Sequence, residues 1–576
     1  MVKLFRYLKP YGLNIIFIFG FIFIQVIANL YLPTLMAKIV DIGVMNKDID
    51  YILSLGGLMI LISLGGASCS IASSYLSSKS AVGFGRILRN EIFKKVSAFS
   101  LNEFDKVGTA TLITRTTNDV TQVQQVTVMM FSIMLFAPLT GIGGIFMALS
   151  EDKSLTLILA VVVPLLGIII GLTLAKGLPL FKLMQLKIDK LNLVVRESLT
   201  GIRVVRAFNR SDRELERFEA ANNDLMQNAV SVNKIMAVLM PIMMLLMNLT
   251  TISIVWFGGI RIDTGHMQIG SMMAFIQYAM QILFAFLMLS LIFIMVPRAQ
   301  ASAVRINEVL EMKPEIIDPE VPNNDNKKIG FLEFKDVTFR YQGAAEPAIS
   351  NVSFFANPGE TTAIIGGTGS GKTTLVNLIP RFYDVDSGQV LVDGIDVREM
   401  SQEALREKIG FVPQKNMLFT GTITDNIKYG KKDATFEEIQ KAAQVAQAVE
   451  FIKDMDGNYE HIITQGGTNV SGGQKQRLSI ARAIVRKPEI YIFDDSFSAL
   501  DFKTDAKLRS ALKKETKEST VIIIAQRVAT VMEADRIIVL DKGVIVGMGT
   551  HQNLMSECEV YKEIVSSQLS EEELQQ

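Results

Sequence analysis

The sequence predicts a multi-domain membrane protein: an all-α transmembrane domain of six spanning helices, followed by an α/β domain. Three observations predict it. The chain has 576 residues, more than one hydrophobic core organises. It is 49% hydrophobic and only 20% charged, with a mean hydropathy of +0.32. The apolar residues crowd into the first half, whereas short β-like runs separated by helical stretches occupy the second. Equal numbers of basic and acidic residues, 58 each, remove the electrostatic basis for a nucleic-acid partner. Cys69 and Cys558 show neither metal-ligand nor disulfide-framework spacing and are expected to be free thiols.

The first element, MVKLFRYLKPYG, reads as an interfacial helix. Leu4, Phe5 and Leu8 would lie on the bilayer, Lys3, Arg6 and Lys9 would reach headgroups, and Pro10 would break the helix. A cleaved signal peptide is excluded by the length of the next apolar run and by the five that follow it. Residues 12–37, 51–78, 123–150, 155–175, 235–260 and 269–296 contain no Lys, Arg, Asp or Glu, and each is long enough to cross a hydrocarbon core of about 30 Å. Six spans put both termini on one side. The segments after the second and fourth spans are rich in Lys and Arg, from Lys79 to Arg115 and from Lys182 to Arg217, so they and both termini are assigned to the cytoplasm.

Both cytoplasmic connections read as helices that continue beyond the bilayer, broken near Gly108 and Gly201. Short helices there would either dock onto a cytoplasmic domain through Phe104 and Phe208 or pack between the extended helices. Within the spans, Gln25 with Asn29 and Gln277 with Gln281 are each spaced four apart, on helical faces expected at an interface or a cavity. Met236, Met240, Met243, Met244 and Met247 make the fifth span adaptable to apolar ligands or simply a packing surface. No intramembrane charge marks an ion path, which points to an energy source elsewhere in the chain.

These boundaries give a transmembrane domain over 1–311, a Pro- and Asn-rich linker over 312–330 and a second domain over 331–576. FLEFKDVTFRY alternates as a strand, and TTAIIG, EIYIFD and TVIIIA follow as further strands. TTAIIGGTGSGKTTLVNLI places Gly366-x-x-x-x-Gly371-Lys372-Thr373 between a strand and a helix, the P-loop pattern. Backbone N–H groups of such a loop wrap a nucleotide's phosphates, Lys372 reaches the β and γ oxygens and Thr373 ligates Mg²⁺. The apolar strand ending in Asp494 would hold the same Mg²⁺, directly or through water.

With NVSGGQKQRLSIARA at 469–483, the chain resembles the ATP-binding cassette (ABC) family over essentially its whole length. It is most similar to a bacterial half-transporter of the exporter type, with one membrane domain fused to one nucleotide-binding domain. The resemblance implies that Tyr341 stacks on adenine and that Gly366, Gly367, Thr368, Gly369, Ser370, Gly371, Lys372, Thr373 and Thr374 hold ATP. It implies that Gln414 senses Mg²⁺ and the γ-phosphate, that Ser471, Gly472, Gly473 and Gln474 form the signature, and that Asp501 closes the D-loop. Two such domains would meet head to tail, each ATP held between the P-loop of one chain and the signature of the other. The segments around Phe104 and Phe208 would be coupling helices.

Three departures from the family pattern modify this expectation. Asp495 stands where a general-base Glu is usual, Gln526 stands where His is usual, and no acidic residue lies between Glu460 and Ser471. Asp is about 1.5 Å shorter in reach than Glu, and a misplacement near 1 Å costs roughly a hundredfold in rate. The catalytic set Asp495, Gln526 and Gln414 is therefore expected to hydrolyse slowly. Taken together, the sequence describes the degenerate-site subunit of a heterodimeric exporter, paired with a homologous chain that has a competent site and moving an amphipathic, drug-like cargo through the lipid bilayer. The alternatives are a homodimeric lipid or peptide exporter and an ATP-gated channel or regulatory subunit.

Overall fold

The computed structural model describes residues 1–323 and 329–568; part of the expected linker, residues 324–328, lies outside them. The chain packs into two compact units, Met1–Ser97 with Thr109–Met312 and Ala98–Gly108 with Lys313–Gln576. The second unit thus takes a piece of sequence from inside the expected transmembrane domain.

Six helices of 43 to 53 residues make the first unit: Val2–Val44, Ile49–Ser97, Thr109–Glu151, Thr156–Thr200, Ser211–Asp263 and Ile269–Glu311. At 1.5 Å per residue each is roughly 65–80 Å long, about twice the hydrocarbon thickness, so the expected extensions are present. Ile18, Ile22, Val26 and Leu30 of the first helix share a core with Phe275, Tyr278 and Ile282 of the sixth. The buried Tyr278 hydroxyl donates to the Leu30 carbonyl at 2.9 Å and meets the Thr34 hydroxyl at 2.7 Å, which satisfies a polar group that lipid could not. The paired amides divide: Gln281 faces Asn29, its Nε2 lying 3.5 Å from the Asn29 carbonyl, whereas Gln277 is exposed. In the fifth span Met243 is buried while Met240 and Met244 face outward.

The amino-terminal helix corrects one expectation and keeps another. Leu4 and Leu8 are buried in the protein and do not lie on the bilayer, and Met1 and Lys3 bond Gln300 and Glu311 at 2.9 and 2.7 Å. The break expected at Pro10 falls at the next residue, Tyr11, which leaves helical geometry at φ −103°, ψ 12°. The turn Val2–Tyr11 is a 3₁₀-helix and Gly12 continues in right-handed helical geometry.

Polar ties brace the helix ends. On the outer side Asp152 accepts from Arg261 Nε at 2.7 Å, and Asp41 accepts from the backbone of Gly270 and Ser271 at the start of the sixth helix. On the cytoplasmic side the buried Asp119 carboxylate accepts from Ser302 Oγ and Arg305 Nε, each at 2.8 Å, and also from Arg305 Nη2.

In the second unit a six-stranded sheet runs Val544–Gly549, Arg536–Asp541, Thr361–Ile365, Thr520–Ile524, Ile490–Asp494, Ile409–Val412. All neighbours are parallel except the first pair. Strand residues such as Ile492, Ile522 and Ile538 are fully buried, the continuous apolar pattern of a sheet covered on both faces. A four-stranded antiparallel sheet containing Leu332–Phe339 and Ile349–Ala356 lies beside it in sequence.

The short helix Leu101–Val107 belongs to this unit through polar contacts more than through Phe104. Glu103 is buried and accepts from the Glu315 backbone at 3.0 Å, and Tyr383 donates to Asp105 at 3.3 Å. Phe104 is half-buried, edge-on to Phe99. Gly108 ends the helix at φ 79°, a conformation suited to glycine. In the other short helix, Ile202–Ala207, the following Phe208 is 73% exposed, so packing between the extended helices is not what it does in this chain. The helix Thr156–Thr200 breaks at Gly201 as expected, at φ −87°, ψ 10°, and a second, sharper turn follows at Asn209, φ 51°.

Candidate functional site

Strand Thr361–Ile365 ends in the Gly-rich turn, and helix Lys372–Leu378 leaves it. Two glycines are required sterically. A Cβ on Gly366 would stand 2.1 Å from the Leu540 carbonyl oxygen, and one on Gly371, at φ 97°, would stand 2.7 Å from the Ala348 carbonyl. The turn, the neighbouring strand ends and Tyr341 enclose a cavity of about 320 Å³. Tyr341, Thr368, Gly369, Gly371, Lys372, Thr373, Thr374, Gln414, Asp494, Asp495 and Gln526 all line it. Gly366, Gly367 and Ser370 form the body of the same turn, with Ser370 buried.

Lys372 folds back on its own loop, donating to the carbonyls of Gly366 and Gly367 at 2.8 and 2.7 Å. Burial pushes its ammonium pKa down, against the pull of Asp495 and Asp494. Thr373 Oγ1 donates to Asp494 Oδ1 at 3.2 Å, which puts a hydroxyl and a carboxylate on one side of the cavity. That donor set fits Mg²⁺: two hard oxygens with room left for phosphate and water, and no cluster of three or more His, Cys, Asp or Glu among the described residues. Tyr341 donates to or accepts from Thr374 Oγ1 at 3.0 Å and packs edge-on to Phe339 and Tyr383.

Strand Ile490–Asp494 leads directly to Asp495, which has φ 48°. Gln526 Nε2 reaches Asp495 Oδ2 at 3.0 Å, and Gln414 Nε2 approaches the same oxygen at 3.4 Å. The three expected catalytic residues therefore converge on one carboxylate oxygen. Burial raises the pKa of both Asp494 and Asp495 above the ordinary range; hydrogen bonds from Thr373 and Gln414 partly oppose it.

Ser471, Gly472, Gly473 and Gln474 do not line this cavity. They start helix Gly472–Val485 with a capping box in which Ser471 Oγ accepts from Gln474 N–H at 3.3 Å and Gln474 Oε1 accepts from Ser471 N–H at 2.8 Å. Asp501 likewise caps helix Phe502–Glu515, accepting from Thr504 N–H at 3.0 Å. Sequence reading missed Gln476. It is buried, donates to the Asp495 carbonyl at 3.3 Å and accepts from Ala499 N–H at 3.2 Å, joining the signature helix to both the Asp495 turn and the D-loop. Its position two residues past Gln474 was the available signal.

A phosphate-sized cradle between a buried parallel strand and a helix, with a carboxylate at the end of a neighbouring strand, defines a P-loop nucleotide-binding domain. On a chain with six spanning helices, that domain makes a membrane transport ATPase. Residues 15–286 match the model for the ABC transporter transmembrane region, and residues 349–498 match the ABC transporter model. An uncharacterized ABC transporter ATP-binding protein of Mycobacterium tuberculosis is 42% identical over 567 residues, covering 98% of this chain and 97% of its own. Another, from Bacillus subtilis, is 40% identical over 99% of both chains. A protein named as a fatty acid ABC transporter ATP-binding/permease protein of M. tuberculosis is 34% identical over 82% of this chain and 75% of its own. The chain belongs to the ABC transporter family, as a multi-pass membrane exporter with a cytoplasmic ATPase domain that binds ATP.

Proposed function

We propose that this chain is the degenerate-site subunit of a heterodimeric ABC exporter that moves amphipathic or hydrophobic compounds. The observation that carries the reading is Asp495. It is the carboxylate beside Asp494, one methylene shorter than the usual Glu, and its Oδ2 is already engaged by Gln526 and Gln414. A short base held by two amides has little freedom to approach an attacking water, and Gln526 exchanges no proton. The glycine turn and Lys372 hold ATP, Tyr341 flanks the base, and Thr373 with Asp494 and Gln414 holds Mg²⁺, which supplies neutralisation of phosphate charge. Ser471, Gly472, Gly473, Gln474 and Asp501 lie outside the cavity and are free to complete the site of a homologous partner. The 34% identical relative named for fatty acids supports an amphipathic cargo and favours a lipid as readily as a drug.

Steady-state phosphate release by the assembled complex at saturating ATP tests the asymmetry. Asp495→Asn removes a weak base and leaves most turnover. Ser471→Arg puts bulk and charge into the partner's site and lowers turnover at least about tenfold, the equivalent of ~1.4 kcal/mol of transition-state stabilisation. If Asp495→Asn is as damaging as Ser471→Arg, a homodimer that uses Asp as its base becomes the better account.

A further inference from the structure

The last described helix, Glu559–Ser566, is pinned by Tyr561 and Val565, both fully buried, and by a 2.8 Å hydrogen bond between Tyr561 and His551. Just beyond it, Gln568 turns its side chain onto a segment 40 residues away in sequence. Its Nε2 donates to the Gln526 carbonyl at 2.7 Å, and its Oε1 accepts from Val528 N–H at 2.9 Å. Val528 is the first residue of helix Val528–Val531, which has no side-chain cap of its own, so its N–H has no partner within that helix. One amide thus fills a donor and an acceptor on either side of Arg527, whose guanidinium in turn donates to the Ser498 carbonyl at 3.1 Å. The backbone that carries Gln526 into the nucleotide cavity is fixed from outside the cavity.

We propose that Gln568 is a positioning residue for Gln526, holding its side chain where only a nucleotide with a γ-phosphate would meet it. Tyr341 and the backbone N–H groups of the P-loop would contact groups that ATP and ADP share. Gln526 follows the neighbouring parallel strand Thr520–Ile524 and enters at the same, carboxyl edge of the sheet, beside Asp495, where the terminal phosphate would lie. Loosening the Gln568 clamp therefore weakens binding of the triphosphate and leaves the diphosphate alone. The proposal concerns nucleotide discrimination at this chain's own cavity and holds whichever chain supplies the facing signature.

The test is photolabelling of this chain by radiolabelled azido-ATP, in the full-length protein assembled in nanodiscs, with AMP-PNP or ADP as competitor. Gln568→Leu is expected to make AMP-PNP about three- to tenfold weaker, the range for the net loss of one ordinary hydrogen bond, with ADP unchanged. Gln568→Glu keeps the acceptor for Val528 N–H but sets a carboxylate against the Gln526 carbonyl, and shows the same selective loss. Gln526→Leu reproduces it, and the double variant Gln526→Leu/Gln568→Leu is no worse than Gln526→Leu alone. Unchanged competition by both nucleotides overturns the proposal, as does an equal loss for both or a loss that multiplies in the double variant.

Discussion

Asp494 is buried at a strand end and bonded to Thr373, and burial holds its carboxyl above the usual range. A metal cation binds the ionised form, so binding must expel the proton that the raised pKa retains. The sign follows: as pH falls, the gain in nucleotide affinity contributed by Mg²⁺ disappears above the region near 4 where an ordinary Asp protonates. Nucleotide affinity measured with and without Mg²⁺ from about pH 7.5 to 4.5 checks this. A Mg²⁺ gain that stays flat to the lowest pH would contradict it, and Asp494→Asn should remove both the gain and its slope. At this scale the sequence was legible wherever chemistry imposes a spacing: the turn, Lys372, Thr373, Asp494 and Asp495 line one cavity. Gln476 and Gln568 were not legible. Each is a single amide in a polar stretch, and what it bonds depends on the fold and not on its neighbours in sequence.

The elements divide in the same way. Uncharged runs marked every spanning helix, because hydrocarbon forces the backbone to bond within its own segment. The docking of the first residues could not be read, because Leu4 and Leu8 have the same spacing whether lipid or protein covers them. The clasp between the third and sixth helices was equally hidden, since Asp119 and Arg305 are 186 residues apart. Replacing Asp119 by Asn leaves the guanidinium without its anion. The expected cost is about 1–3 kcal/mol, below the ~3–5 of a fully buried pair because Arg305 is nearly half exposed. Thermal unfolding of the full-length protein in detergent reads this as a lower midpoint. A midpoint equal to that of the unaltered chain would mean the clasp carries no stability.

For the molecule as a whole, the positive-inside assignment makes the Asp152 turn extracellular and the Arg210 region cytoplasmic. Asp152 itself is only 6% exposed and bonded to Arg261, so the neighbouring exposed Lys153 is the better probe. After replacing Cys69 and Cys558, a cysteine at Lys153 should react with an impermeant maleimide on intact cells, and one at Arg210 should react only after lysis. The opposite pattern would reverse the direction of transport.

The discontinuous second unit also sets a timetable for synthesis. Asp105 leaves the ribosome 278 residues before Tyr383, its hydrogen-bond donor, and Glu103 leaves 212 residues before the Glu315 backbone it accepts from. At ~5–20 residues per second those intervals are roughly 10–55 s. For that time the helix Leu101–Val107 is a finished peptide with a charged face and nothing to bind, while four more spanning helices are made and inserted. The nucleotide-binding unit therefore cannot complete itself from its own contiguous stretch of chain. A ribosome that begins at residue 331 would make the cradle for ATP but never the early helix that Tyr383 is shaped to receive.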